Sequence, residues 1–335
     1  MKHLLYLSLI TLLVSCGNKT PQKFIVQGEA FGTTYSIQTY SKENILLEKG
    51  IDSVIYTVNK SVSIYLPKSD ISKINKGDTT IIIDQIFIDN FKISEEVHKN
   101  TNGYFDPTIG VLRNAYGFGD TKPLKEIDSL TLDSLLQFVG FDKVKLTSEN
   151  KIIKQHSAIY FDFNAVAKGY GIDQIGIYLT SEGIDNYLIE LGGEILAKGK
   201  NLAKNKAWVV GIENVDSKLE DRSYSSIVAL TNEAMAASGN YRKFRIDSLT
   251  GKKYVHTLNP ITGSAEKSDV TSATVIASTC AMADAYATSF MALGLEKSKE
   301  VLKTLNGIEA YLTYNDENNK ENIFITEGFK NKLLD

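Results

Sequence analysis

Hydrophobic and polar positions change their spacing several times along the chain, and each change marks an element. Leu4–Val14 is an apolar run of eleven residues behind Lys2 and His3. It is too short to cross a hydrocarbon layer of about 30 Å, and it has the positive start of an export signal. Phe24–Tyr40 alternates in places and carries Thr, Tyr and Ile, which predicts a strand or hairpin. Ile45–Ser61 bears a helical stripe at Leu47, Ile51, Val54, Ile55 and Val58. Asp84–Thr101 predicts a second helix, with Asp84 as N-cap and Gly103 just past the end. Thr131–Val139 predicts a short helix closed by Gly140. From Lys143 the period shortens, and Lys143–Leu146, Lys151–Lys154 and Ile159–Phe163 read as short strands. Val166–Glu182 is helical and stops at Gly183. Strands are expected at Tyr187–Leu191, Glu194–Lys198, Trp208–Glu213, Ile227–Leu230 and Ser272–Ala277. Thr279–Leu293 is an Ala-rich helix with Ser278 or Thr279 as cap and Gly294 at its end. Strands and helices mix without strict βαβ alternation. The expected class is therefore α+β, with mixed or antiparallel sheets and packed helices.

Composition narrows the function more than the fold. The chain has 335 residues, 43% hydrophobic and 23% charged, enough apolar material for a packed core and too much for a disordered protein. A net charge of −3 offers no field to attract a phosphate backbone, so no nucleic-acid partner is expected. Cys16 and Cys280 are the two cysteines, and neither H-E-x-x-H nor a close His pair occurs, which argues against a zinc site. Leu13-Val14-Ser15-Cys16 resembles the lipobox of bacterial lipoproteins, in which the Cys carries the lipid. The reading is a signal peptide over 1–15, lipidated Cys16 and a flexible tether over 16–22, and one domain over 23–335. The protein is expected to be exported and held by acyl chains on the periplasmic side, at a bacterial inner membrane.

Several constellations could carry chemistry. Asp284 and Thr288 lie four apart on the Ala-rich helix, so their oxygens share a face. That pair suits a hard cation such as Mg²⁺, and Ala283, Ala285 and Ala287 leave room beside it. On spacing alone, an Asp favoured by the helix dipole and a Thr bonded back to a carbonyl explain it as well. Asp162-Phe163-Asn164-Ala165-Val166-Ala167-Lys168-Gly169 is a strand-to-helix junction, a place that favours anions. Lys168 there sits against the dipole, which suggests a ligand; a surface Lys behind a capping Asp is the plainer alternative. No G-x-G-x-x-G occurs, so a Rossmann site is not supported. Gly192-Gly193-Glu194 is explained by hairpin geometry, and Ser238-Gly239-Asn240-Tyr241 reads as a turn. His256, at a strand end before a turn, could act as a base or be structural. Cys280 reads as an inert buried thiol.

The order of these segments resembles the ApbE family, the FAD:protein FMN transferases once described as thiamine-biosynthesis lipoproteins. The likeness runs from about Gly28 to Gly294. It takes in Phe31-Gly32-Thr33-Thr34-Tyr35, Ser63-Ile64-Tyr65 with Ser69–Asn75, Gly103-Tyr104-Phe105-Asp106-Pro107-Thr108-Ile109-Gly110 and Tyr116–Gly119. Asp162–Gly169, continuing to Tyr170 and Asp173, is similar to the family's D-x-G-G-x-A-K-G-Y element. Gly192–Glu194, Ser238–Tyr241, His256–Gly263 and Ala283–Thr288 follow in order. Asn164 stands where the family usually has Gly, and Asn240 and Asn259 where it usually has Asp.

The resemblance implies a T-fold-related α+β fold with a flavin cleft, FAD as substrate and Mg²⁺ as cofactor. It implies transfer of FMN to a Thr or Ser hydroxyl of an acceptor protein through a phosphoester, with AMP leaving. The acceptor would be a membrane electron-transfer subunit. By the same resemblance, Asp284, Thr288 and the backbone carbonyl of Ala165 would hold the metal. Lys168 would meet the cofactor or its phosphates and Asp162 would bind FAD. Phe31 and Tyr65 would contact its rings, and Phe105, Asp106, Pro107, Thr108 and Leu258 would line the cofactor site. His256 is the candidate base and Asp284 the catalytic carboxylate. An Mg²⁺-dependent FAD pyrophosphatase and a non-catalytic flavin-binding lipoprotein are the alternative readings. Asp269–Thr274 (DVTSAT) loosely resembles an acceptor motif, but it falls in a predicted core strand, so self-modification is not expected.

Overall fold

The computed structural model describes residues 20–42, 46–214, 223–239, 244–246, 253–265 and 267–334. The leader, Cys16, Asn240 and Tyr241 lie outside the described residues. The chain opens with β1 (Gln22–Ala30) and β2 (Thr33–Ser41), then α1 (Glu48–Val62), α2 (Asp70–Asn75), α3 (Gln85–Asn100), α4 (Gly110–Tyr116) and α5 (Ser129–Leu136). Two short strands, β3 (Val144–Leu146) and β4 (Ile152–Lys154), precede α6 (Ala167–Ser181). Next come β5 (Tyr187–Leu191), β6 (Glu194–Lys198), β7 (Trp208–Glu213), β8 (Tyr224–Leu230), β9 (Glu233–Gly239), β10 (Phe244–Ile246), β11 (Lys253–Val255) and β12 (Val270–Ala277). The chain closes with α7 (Cys280–Leu293), α8 (Leu295–Leu302), β13 (Glu309–Asn315), β14 (Glu321–Ile325), α9 (Glu327–Lys330) and β15 (Leu333–Leu334).

Among the described residues the main sheet has the order β1-β2-β5-β6-β9-β12-β13-β14, antiparallel at every pair. A smaller sheet, β15-β8-β7, shares a core with the main sheet, where Trp208, Val210 and Val228 cluster with Ile195, Met235 and Ile276. The two hairpins nearest the site turn tightly. Phe31 (φ 51°) and Gly32 (φ 78°) join β1 to β2, and Gly192 (φ 60°) and Gly193 (φ 97°) join β5 to β6. Two positive φ values in succession match strand twist in a two-residue turn, and glycine adopts them at no steric cost. Phe31 does carry such a cost, which marks it as a position held for another reason.

α7 is the pivot. Its N-cap Thr279 accepts the N–H of Met282 at 3.3 Å, and Gly294 (φ 75°) ends it. Nearly every side chain on it is buried, so the helix has no water-facing side. β9 and β12 pack on it from the sheet, and α6 and α3 from elsewhere. Its alanines allow close approach: a Cβ added to Gly169 of α6 would lie 2.4 Å from the carbonyl oxygen of Cys280.

Some expectations need correcting. Ile159–Phe163 is not a strand. Its backbone groups bond to α2 and to a loop instead, Phe161 N–H donating to Asn75 Oδ1 at the end of α2 and Asp162 N–H to the Pro107 carbonyl. Ser238 and Gly239 end β9 rather than forming a turn, because β12 pairs with them. β1 takes in Gln22, one residue ahead of the expected boundary at residue 23.

Candidate functional site

The turn at 163–166 leads from Asp162 into α6, where Ala167 N–H donates to the Phe163 carbonyl at 2.7 Å. At the second residue of α6, Lys168 points at Glu194, with Nζ 2.8 Å from Oε1. Glu194 opens β6, directly after the Gly192–Gly193 turn, and is buried on the sheet's inner side. Its second oxygen, Oε2, has no hydrogen-bond donor. From α7, Asp284 reaches the same junction, where its Oδ2 accepts the Gly169 N–H at a long 3.4 Å.

These charges set one another. Burial alone would lower the Lys168 pKa, but the charges of Glu194 and Asp284 outweigh it and raise it above the ordinary value. Asp284 is driven well above the usual carboxylate range, first by burial and then by the charge of Glu194, with Lys168 opposing. One ammonium thus faces two buried carboxylates. A buried negative charge left over in this way is costly unless a proton or a cation joins it.

Thr288 lies one turn beyond Asp284, its Oγ1 3.4 Å from Ser238 Oγ on β9. Asp284 and Thr288 thus each make a long hydrogen bond here and retain capacity for another partner. Among the described residues no group of three or more His, Cys, Asp or Glu could hold a metal. A cation here would need oxygens from Asp284, Thr288 and a backbone carbonyl, with ligand or water oxygens completing the shell. That is the habit of Mg²⁺, which keeps several waters, so the donor set fits it.

The other predicted residues surround this junction. Asp162 is buried and ion-paired with Arg113 of α4, its Oδ2 2.6 Å from Nε but not aligned as a hydrogen bond. Its Oδ1 accepts the Asn164 N–H at 2.8 Å, and the Asn164 amide donates to the Tyr65 hydroxyl at 3.2 Å. Tyr65 is exposed and lines a hollow of about 260 Å³ with Tyr160 and Asp120. Phe31 lays its ring on α6, where a Cβ at Gly171 would meet it at 2.5 Å. Ala165, whose carbonyl was expected to face the metal, sits in the turn between Asn164 and α6.

The Phe105–Thr108 segment joins Asp162 through the Pro107 carbonyl, but its polar side chains serve its own loop. Asp106 Oδ1 accepts from the Thr108 N–H (2.7 Å) and hydroxyl (2.6 Å), and Oδ2 accepts the Phe141 N–H (3.0 Å). Burial raises the Asp106 pKa despite these donors. Phe105 and Leu258 are buried in core clusters. The turn after Leu258 is held by Asn259, whose Oδ1 accepts the N–H groups of Ile261 and Thr262. That turn and the Asp106 loop meet at a cavity of about 440 Å³, lined also by His98 and Gly140. It does not include Lys168, Asp284 or Thr288. His256 is half-buried just past β11.

Comparison with known proteins identifies the family. The ApbE family profile matches residues 31–312. The chain belongs to the ApbE family. A Haemophilus influenzae relative, named FAD:protein FMN transferase, is 32% identical over 91% of this chain and 90% of its own length. A Vibrio cholerae relative of the same name is 30% identical over 89% of each. The solved flavin transferase ApbE from Vibrio cholerae superposes with a TM-score of 0.83 at 28% identity, covering 93% of this chain and all of its own. The α+β architecture expected from the sequence is thus the ApbE fold.

Glu194 is the residue that the sequence concealed. Hairpin geometry accounted for Gly192 and Gly193 and drew attention from the acid beside them. The available signal was strand alternation, which turns a residue paired with Leu191 inward.

Proposed function

We propose that this protein is an Mg²⁺-dependent FAD:protein FMN transferase. Like its named relatives, it would take FAD and pass FMN to a Thr or Ser hydroxyl of an acceptor protein. The observation that carries the reading is the meeting of Lys168, Glu194 and Asp284 at the α6–α7 junction, with Thr288 one turn on. Asp284, Thr288 and the Ala165 carbonyl would hold an Mg²⁺, which would supply charge neutralisation at the diphosphate of FAD. Lys168, kept protonated by its carboxylate neighbours, would orient the phosphates at the start of α6. Phe31 and Tyr65 offer ring faces to the flavin or adenine. Asp162 with Asn164 fixes the turn beneath them. The Phe105–Thr108 segment would act from behind the site, through the Pro107 carbonyl that holds the Asp162 N–H.

The acceptor oxygen attacks the phosphorus of the FMN half as its proton passes to His256. The bond from that phosphorus to the AMP oxygen breaks, and AMP departs. The likeness of Leu13–Cys16 to a lipobox supports a lipid on Cys16, export, and a membrane electron-transfer subunit as acceptor. No helix among the described residues is long and apolar enough to cross a membrane.

The test incubates the protein with FAD, Mg²⁺ and an acceptor domain and reads flavin fluorescence on the acceptor in a gel. Fluorescent acceptor is the expected outcome, abolished by Asp284→Ala. Free FMN alone would make the protein a pyrophosphatase, and intact FAD a flavin carrier.

A further inference from the structure

Asp173 lies outside the proposed transfer steps, yet it is buried where the two helices of the site touch. It sits one and a half turns beyond Lys168 on α6. Its Oδ1 accepts the Cys280 N–H at 2.8 Å and its Oδ2 the Ala281 N–H at 2.9 Å. Those are the first two residues of α7, whose N–H groups have no partner within their own helix. Both carboxylate oxygens are thereby committed to the next helix rather than to α6 itself. On the adjoining turn, Gly169 lies so close to Cys280 that no Cβ fits. A two-pronged tether and a steric stop act on the same stretch of α7 backbone. Together they leave α7 little freedom to slide or rotate against α6.

We propose that Asp173 is a positioning residue, which fixes the register of α7 on α6 and so holds Asp284 opposite Lys168 and Glu194. Asp284 lies one turn beyond the tethered residues, so a shift at Cys280 is carried to it along the rigid helix. The inference rests on the functional reading of Asp284 and Lys168 given above. It also makes a claim about helix docking that stands apart from the reaction. Cys280 reports on that docking, because its thiol is fully buried at the tethered end of α7.

The experiment compares the full chain with its Asp173→Asn and Asp173→Ala variants. Iodoacetamide labelling of Cys280 in the native state is read by peptide mass, which separates it from Cys16. FMN transfer is followed at varied FAD. The alanine variant should label Cys280 at least about tenfold faster and lower kcat at least about tenfold, since both hydrogen bonds to the start of α7 are lost. KM for FAD should stay within about twofold, because the ring contacts lie off α7. The asparagine variant, with one accepting oxygen left, should fall between. A role in bulk stability alone would lower the melting temperature without moving kcat per folded molecule. Unchanged labelling of Cys280, or wild-type kcat in a folded variant, overturns the proposal. Should the alanine variant fail to fold, the asparagine variant carries both readouts. Absence of transfer by the wild type would remove the functional reading, and the labelling would still decide whether Asp173 docks α7.

Discussion

Replacing Gly169 with Ala adds a single methyl group at the closest approach of α6 and α7. The new Cβ would lie 2.4 Å from the Cys280 carbonyl oxygen, 2.6 Å from its carbon and 2.8 Å from the Ala281 Cα. All three are backbone atoms, so no side chain can swing away. Restoring ordinary contact needs the helices to part by about 1 Å, an overpacking that costs roughly 1–3 kcal/mol. Alanine gives back about 1 kcal/mol over glycine inside a helix. The net loss of stability should therefore be about 0–2 kcal/mol, a small shift on a thermal melt. The effect on chemistry should be much larger. Asp284 accepts its hydrogen bond from the N–H of this same residue, at 3.4 Å. A displacement of about 1 Å between reacting groups can cost on the order of a hundredfold in rate. Circular dichroism would follow the melt, and gel fluorescence of the acceptor would follow transfer. A Gly169→Ala protein that transfers FMN at close to the wild-type rate would refute the claim that this helix contact sets the site.

Three further outcomes are expected. Glu194→Gln keeps an acceptor for Lys168 but removes a like charge from beside Asp284; stability should change by no more than about 1 kcal/mol while FMN transfer falls at least about tenfold, and an unchanged rate would dissociate Glu194 from the chemistry. Phe31→Gly relieves a positive φ that costs roughly 1–2 kcal/mol, so the melt should hardly move, whereas KM for FAD should rise; an unchanged KM would remove the ring from the cofactor's environment. Burial pushes the Asp173 carboxyl up to about 7, against its two N–H donors and with the help of the Glu194 charge. The native state then binds that proton more tightly than the unfolded chain, so the stabilisation is fully present below about pH 4 and is lost as pH rises through about 7. Across pH 4.5–8 the melting temperature of Asp173→Asn should gain on that of the wild type, and parallel curves would contradict the assignment.

Much of the scaffold was legible because its segments agree with themselves. α3 declares itself through the Asp84 cap, whose carboxylate accepts the Phe87 N–H at 2.9 Å, and through Gly103 beyond its end. α7 combines a Thr cap, an alanine-rich body and a closing glycine. β9 did not announce itself, since Glu-Ala-Met-Ala-Ala-Ser-Gly has the composition of a helix. The central place of β9 between β6 and β12 overrides that preference. Ile159–Phe163 misled in the opposite sense, because strand-like residues here fill a core reached from loops. For the site, the Asp284–Thr288 spacing pointed to one face of one helix. It could not show that Glu194 arrives from a hairpin 90 residues earlier in the chain. Nor could it show that Asn164 ties its turn to Tyr65. Both depend on long-range placement, which no local pattern encodes.

The first hairpin has a bearing on reach. Gln22 pairs with Ser41 at one end of β1, and Ala30 with Thr33 at the other, beside Phe31. Nine extended residues separate the two ends, a span of about 30 Å. Because β2 is also paired with β5 and Phe31 rests on α6, the hairpin is built into the sheet, and it keeps the aromatic turn at the opposite end of β1 from Gln22.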